Sequence, residues 1–325
     1  MKHTACLALL SVALGCSSSS DTDGGTVTRG GADGPGTASG CDHAAALCEK
    51  LGECAPFLLA AGYGDIAGCT ARLVKACTEQ ATSNGSGLTR ANILACEAAL
   101  QAATCNDVYG NSVPACAFHG ALGEGTTCGD SSQCDTGFCN TAGNLCGTCA
   151  PKRPAGGDCP SGSNDECQPS LVCSSGKICV TPGALGGPCD DKTQPCLTGN
   201  FCTGAKTCAA TVKAGEKCPG AYIDFGDGTF CTGKDAQAGQ FGTAQWGEEC
   251  GLAPGAGKPA TLCAPGSVAA CTPLSDSITL IGMPTHGQCA RPSEDGFTCT
   301  PSSICQTGAE CIAGTCQIPS GRYCP

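Results

Sequence analysis

The stretch Gly186–Cys208, GGPCDDKTQPCLTGNFCTGAKTC, decides how this chain is read. It opens with a glycine three residues before a cysteine, holds four cysteines, and sets an apolar residue, Phe201, directly before the third. The same opening stands at Gly125, Gly156, Gly215, Gly247 and Gly296, giving successive intervals of 31, 30, 29, 32 and 49 residues. A near-constant period of this length marks an array of small modules.

Three further units carry four cysteines at matching gaps: 128, 134, 139 and 146; 159, 167, 173 and 179; and 299, 305, 311 and 316. Phe138, Val172 and Phe201 precede the third cysteine and are expected to form the small cores of their modules. The unit opened by Gly215 has only Cys218 and Cys231. Its DGTFC at Asp227–Cys231 aligns with TGNFC at Thr198–Cys202, so it keeps the first and third cysteines and lacks the second and fourth. Loss of cysteines in bonded pairs then implies a first-to-third and second-to-fourth connectivity. The expected bonds are Cys128–Cys139, Cys134–Cys146, Cys159–Cys173, Cys167–Cys179, Cys189–Cys202, Cys196–Cys208, Cys218–Cys231, Cys299–Cys311 and Cys305–Cys316. The unit after Gly247 (Cys250, Cys263, Cys271, Cys289) is stretched and its pairing stays open, as do the partners of Cys149 and Cys324, which fall outside the pattern.

On these Gly-x-x-Cys openings and four-cysteine spacings, residues 125–316 resemble the Dickkopf N-terminal cysteine-rich module, and the whole layout resembles the cysteine-rich lipoproteins of myxobacteria and their relatives. The resemblance implies a fold type. Receptor binding by the animal family does not carry over with it.

Ahead of the array, residues 41–116 are rich in Ala and Leu and read as three or four short helices. Asp42, Asp65 and Thr89 suit N-caps, Pro56 suits a first helical turn, and Asn84–Gly87 is a turn. Cys41 and Cys48 are seven apart and Cys69 and Cys77 eight apart, which puts each pair on one helix face, unable to bond within itself. They must pair between antiparallel helices, and the eight cysteines of this segment permit four bonds. The fold class expected is therefore small disulfide-rich modules over 117–325, irregular with short β-hairpins, preceded by a small α-helical disulfide-bonded domain.

The first forty residues read as an address and a tether. Met1-Lys2-His3, the apolar run Ala5–Leu14 and the small residues before Cys16 form a signal peptide over 1–15, too short to span as a helix. Ala13-Leu14-Gly15-Cys16 resembles the lipobox of bacterial lipoproteins, which implies that Cys16 receives the lipid. Ala13 and Gly15 also satisfy ordinary signal peptidase, so secreted or periplasmic protein is the alternative to an outer-membrane or cell-surface one. Residues 16–40, rich in Ser, Gly and Asp, read as a flexible tether of about 27 Å root-mean-square span.

Composition supports export. Thirty-four cysteines, one Trp, four Tyr and eight Phe in 325 residues leave little apolar bulk, so covalent staples must replace it, and they persist only in an oxidising compartment. Without Cys6 and Cys16, 32 cysteines remain, enough for sixteen bonds. A net charge of -11 without a basic cluster excludes nucleic acid as a natural partner.

No motif along the chain supplies a catalytic group. Cys146-Gly-Thr-Cys149 has C-x-x-C spacing but no strand–helix context, and it reads as structural disulfide rather than zinc or redox site. His3, His43, His119 and His286 form no H-E-x-x-H and sit in no nucleophile motif. Asp224–Gly228 lacks the ligand run of a calcium loop and reads as a turn. Metal and cofactor are thus expected to be none. The expected function is a non-catalytic, lipid-anchored surface protein for display, binding or coat formation. It attaches to the membrane through the lipid, and any protein or surface-polymer ligand is unidentified. An inhibitor of extracellular hydrolases such as proteases is the alternative. Ser161–Glu166, Ile223–Thr229 and Gly251–Gly287 are the expected contact loops.

Overall fold

The computed structural model describes residues 41, 43–109, 113–141, 146–160, 162–190, 192–197, 199–224, 226–252, 260–263, 271–273, 279–280, 283–300, 305–307, 309–318 and 324. The signal peptide, Cys16, the tether and the Asp42 cap lie outside them.

Five helices open the fold: α1 (His43–Cys54), α2 (Pro56–Tyr63), α3 (Ile66–Ala81), α4 (Arg90–Ala102) and α5 (Cys105–Tyr109). Pro56 heads α2, where a missing N–H costs nothing. The Asp65 carboxylate caps α3 by accepting from Gly68 N at 2.7 Å, and the Thr89 hydroxyl caps α4 by accepting from Asn92 N at 3.3 Å. α1 and α3 run antiparallel, as their bonds require: Cys41 joins Cys77 and Cys48 joins Cys69, partner numbers moving in opposite directions. Cys48 and Cys69 pack with Leu51, Leu59, Leu73 and Ala76, while Cys41 and Cys77 pack in the neighbouring cluster with Leu88 and Ile93. Cys54–Cys105 and Cys96–Cys116 bind α5 and the turn Pro114–Cys116 to the bundle. Leu88, Ile93, Leu100 and Phe118 form a second apolar cluster beside α4.

The six modules that follow share one backbone frame. Each opening glycine has φ between 77° and 84°, a left-handed turn that an L side chain would strain. Its N–H donates to the carbonyl of the residue in fourth position, namely Cys149, Cys179, Cys208, Ala238, Cys289 or Cys316, at 2.8 or 2.9 Å. The N–H of that fourth residue donates back to the residue after the glycine, again at 2.8 or 2.9 Å. Third and fourth cysteines face each other across short antiparallel pairs: Cys139 and Cys149, Cys173 and Cys179, Cys202 and Cys208, Cys271 and Cys289, and Cys311 and Cys316. Each bonds elsewhere. First joins third in Cys128–Cys139, Cys159–Cys173, Cys189–Cys202, Cys218–Cys231, Cys250–Cys271 and Cys299–Cys311. Second joins fourth in Cys134–Cys149, Cys167–Cys179, Cys196–Cys208, Cys263–Cys289 and Cys305–Cys316. The stretched Gly247 unit thus obeys the same rule.

One expected bond is corrected. Cys134 joins Cys149, not Cys146, and Cys146 joins Cys324. The fourth position is defined by the exchange with the opening glycine, and Gly125 N donates to Cys149 O. Counting cysteines along the chain stops at Cys146, three residues short of that partner. The expected module cores also shift. Sulfur fills the centre, with Cys128, Cys134, Cys139 and Cys149 in one module and Cys159, Cys167 and Cys179 in the next, while Val172 and Phe201 are only half-buried and Phe138 alone of the three is buried.

The array folds back on the helices. The first module docks through Gly87 N to Ser132 O at 2.8 Å, Gln80 Nε2 to Asp130 Oδ2 at 2.8 Å, and Gln133 Nε2 to Asn84 O at 2.7 Å. Phe57 of α2 stacks on Phe241, ring centroids 5.9 Å apart, and its N–H donates to Gly226 O. The last module docks on Arg72 of α3, and Cys146–Cys324 ties the first module to the chain beyond the last. Among the described residues, no helix is long and apolar enough to cross a membrane.

Candidate functional site

The second-to-fourth disulfide is present in every module except the one opened by Gly215, and the exception shows what the frame needs. Three residues before each opening glycine, the chain pairs with the strand carrying the second cysteine. Gly183 N donates to Pro195 O and Leu197 N to Gly183 O; Arg153 exchanges the same two bonds with Glu166 and Gln168. In the Gly215 module the corresponding residue is Val212, and both of its groups go to one side chain: Val212 N donates to the Tyr222 hydroxyl at 2.7 Å, and that hydroxyl donates to Val212 O at 3.2 Å. Tyr222 is buried against Cys218, Cys231 and Ala238, and its ring stacks on Phe201 of the preceding module with centroids 4.5 Å apart. A buried phenol thus stands where the second-to-fourth disulfide stands elsewhere. Burial pushes its pKa up, so it remains a neutral donor.

In five modules the sulfurs of the first, second and fourth cysteines lie within 4.8 Å of one another, a geometry that thiolates could turn to a soft metal. Here all of them are in disulfides and offer no thiolate, the ligand form that such metals need. Cys146 and Cys149 of the C-x-x-C segment likewise bond to two different partners. His119 Nδ1 pairs with Asp135 O at 2.8 Å, and His286 lies half-buried far along the chain. The Asp224 carboxylate is occupied in a turn, accepting from Thr211 Oγ1 at 2.7 Å and Gly226 N at 2.9 Å.

The expected contact loops fare unequally. Asn164–Glu166 is a 3-10 turn folded into its module, with Glu166 buried and its carbonyl bonded to Arg153 N. The Ile223–Thr229 hairpin is docked on α2: Ile223 packs in the cluster of Phe241 and Leu262, and Phe57 lies against Gly228. Much of Gly251–Gly287, and Ser161, lies outside the described residues.

A cleft that the sequence did not indicate opens where three segments meet. About 200 Å³ in volume, it is lined by Gly62, Tyr63, Gly68, Arg72, Trp246, Pro292, Gln306 and Thr307. One wall is held by an ionic cluster. The Arg72 guanidinium grips Asp295 with two nitrogens at 3.1 and 3.3 Å and donates through Nε to Thr307 O at 2.7 Å. Lys75 stands 3.6 Å from the same carboxylate. Burial holds the Lys75 ammonium below its usual pKa, against the pull of Asp295. Thr307 Oγ1 donates to Gly62 O at 2.8 Å, closing the floor onto α2. The opposite wall is Trp246, the chain's one tryptophan, 39 % exposed, with Arg291 4.9 Å from the ring centroid. Arg291 is itself held by Glu294 at 2.6 Å. A half-exposed Trp beside Tyr and Arg on rigid supports has the composition of a contact hot spot. A lone tryptophan directly before the opening Gly247 was the signal available in the sequence.

Sixteen disulfides over 32 of the 34 cysteines are the mark of an extracellular or secreted protein. No family model, curated protein or solved structure matches the chain.

Proposed function

We propose that this chain is a non-catalytic, lipid-anchored surface protein that displays a rigid disulfide-framed scaffold and binds through the Tyr63–Trp246 cleft. The observation that supports the reading best is the shared frame: five modules carry both bonds, and the array docks on one helical domain. Such a scaffold holds its contact residues in place before binding, so little ordering entropy opposes association. The lipobox-like segment ending at Cys16 supports anchoring at an outer membrane or cell surface, and the Gly-x-x-Cys frame supports placing the modules with the Dickkopf N-terminal cysteine-rich type, within the myxobacterial style of cysteine-rich lipoprotein.

Expression in a bacterium with a lipoprotein pathway, with labelled palmitate, tests the anchor. The native chain takes up label and stays with the membrane fraction, whereas Cys16→Ser loses the label and appears in soluble fractions. Equal fractionation of both chains would end the anchored reading. Binding is tested by Trp246 fluorescence of the intact ectodomain titrated with cell-surface polymers and envelope proteins. A response lost in Tyr63→Ala, which keeps the single tryptophan as reporter, with the disulfides intact supports the cleft, and a response unchanged in that variant ends it.

A further inference from the structure

We infer that Cys146–Cys324 is a thiol-exchange site, opened by a dithiol, that unfastens the two ends of the array while every module stays closed. The frame makes the first part of the case. Module bonds close separations of 11 to 26 residues, but this bond spans 178 and belongs to neither the first-to-third nor the second-to-fourth set. Cutting it removes no staple from any module.

Access makes the second part. Neither Cys146 nor Cys324 is buried. Among the other bonds that holds only for Cys299–Cys311, and there Cys311 lies in a hairpin whose second bond, Cys305–Cys316, keeps the strands in register. Exposed disulfides are the ones that exchange readily, because a thiolate must reach a sulfur along the bond.

Re-closure makes the third. Inside a module, the exchange between the opening glycine and the fourth residue holds the partner thiols together after cleavage, so the bond re-forms at high effective concentration. Cys146 and Cys324 are brought to 5.5 Å between Cα atoms from opposite ends of the array, by the docking of the first and last modules on the helical domain. Bond and ring closure are therefore coupled, each favouring the other to the same degree. A thiolate of the dithiol attacks one sulfur of the bond, and the other leaves as a thiolate and takes a proton. The reagent's second thiol then displaces the first sulfur. The dithiol ends as a disulfide and the protein gains two thiols, two electrons and two protons having passed to it.

The test uses the oxidised full ectodomain. It is treated with limiting dithiothreitol, trapped with a first alkylating reagent, then fully reduced, labelled with a second and mapped by peptide mass spectrometry. Cys146 and Cys324 take the first label about tenfold faster than any other pair, and amide exchange in the six modules is unchanged. A different pair labelling first, or all pairs labelling together, overturns the proposal. Small-angle scattering of Cys146→Ser with Cys324→Ser gives the second readout: the radius of gyration increases over the native chain, and an unchanged profile overturns the coupling to ring closure. If that variant does not fold, the trapping experiment on the native protein still decides.

Discussion

The Gly186 and Gly215 modules solve the same problem with different chemistry. Both open with a glycine at positive φ, 77° and 84°, both return its N–H to the fourth position at 2.8 Å, and both close first to third, Cys189–Cys202 and Cys218–Cys231. The Gly186 module adds Cys196–Cys208. The Gly215 module instead has Tyr222 and Ala238, with three strands in one sheet where its neighbour has two. The backbone frame therefore does not depend on the second disulfide. What it needs at that place is a group that fills the centre and ties down the chain three residues before the glycine.

The sharpest way to break this equivalence is to remove the second bond where no phenol replaces it. Cys196→Ser with Cys208→Ser opens a separation of 12 residues, and restored loop entropy should cost about 3 kcal/mol. Cys208 is buried and the module has little other apolar bulk, so the loss falls on that module. Amide exchange should show protection lost between Gly186 and Cys208 and kept in the Gly215 module. Unchanged protection would mean that the sulfurs contribute packing alone. The reciprocal change, Tyr222→Cys with Ala238→Cys, should create one further bond, seen as a mass lower by two hydrogens. Failure to form it would show that the two positions are not equivalent to Cys196 and Cys208.

A smaller effect is expected for Tyr222→Phe. It keeps the ring stacked on Phe201 but leaves Val212 N and O without the hydroxyl that serves both, costing about 2 kcal/mol. Equilibrium denaturation of the ectodomain measures it. A loss below a few tenths would mean that water replaces the phenol and that the packing of the ring holds the module.

These comparisons also mark what the residues alone could tell. The Gly-x-x-Cys opening was visible because the same local turn recurs six times, and a local turn is written in adjacent residues. The antiparallel pairing of Cys41 and Cys48 with Cys77 and Cys69 was implied by helical spacing, although which cysteine met which was not. Counting cysteines does not reach Cys134–Cys149 because hairpin length varies between modules, so the fourth cysteine is set by a hydrogen bond to Gly125. Cys146–Cys324, the Arg72–Asp295 pair and the Tyr63–Trp246 cleft join segments more than 170 residues apart. No periodicity reaches across such distances. Tyr222 had no mark at all, since only the fold shows a phenol answering for a cysteine.

The Gly156 module extends the comparison to charge. Its Asp165, beside Ser163, has its carboxyl pushed up to about 6, mainly by burial, against the partial relief of Lys152; Asp130 and Glu166 add to the rise. The folded form thus holds its proton more tightly than the unfolded chain. The associated stability is fully present below the ordinary value of 3.8 and is lost as pH rises through about 6. Allowing for residual solvent, the difference is about 1–2 kcal/mol. Asp165→Asn should flatten the change in denaturation midpoint between the two sides of that window. An equally steep dependence in the variant would assign it to another group, Asp130 first, since burial raises its pKa too.

The smallest effect asks most directly whether the frame is one object repeated. At both Gly186 and Gly215 a Cβ would meet nothing within 4 Å, so alanine there is opposed by backbone conformation and not by crowding. Left-handed backbone costs an L residue about 1 kcal/mol, and with φ of 77° and 84° the two sites should cost nearly the same. The disulfide that distinguishes the modules does not touch this turn, because the glycine's hydrogen bond ends on the backbone of the fourth residue, whether that residue is Cys208 or Ala238. Gly186→Ala and Gly215→Ala, compared by denaturation midpoint, should therefore fall by equal amounts. A markedly larger loss at Gly215 would show that the turn and the second disulfide share the work of closing a module, and that Tyr222 replaces only part of what the sulfurs supply.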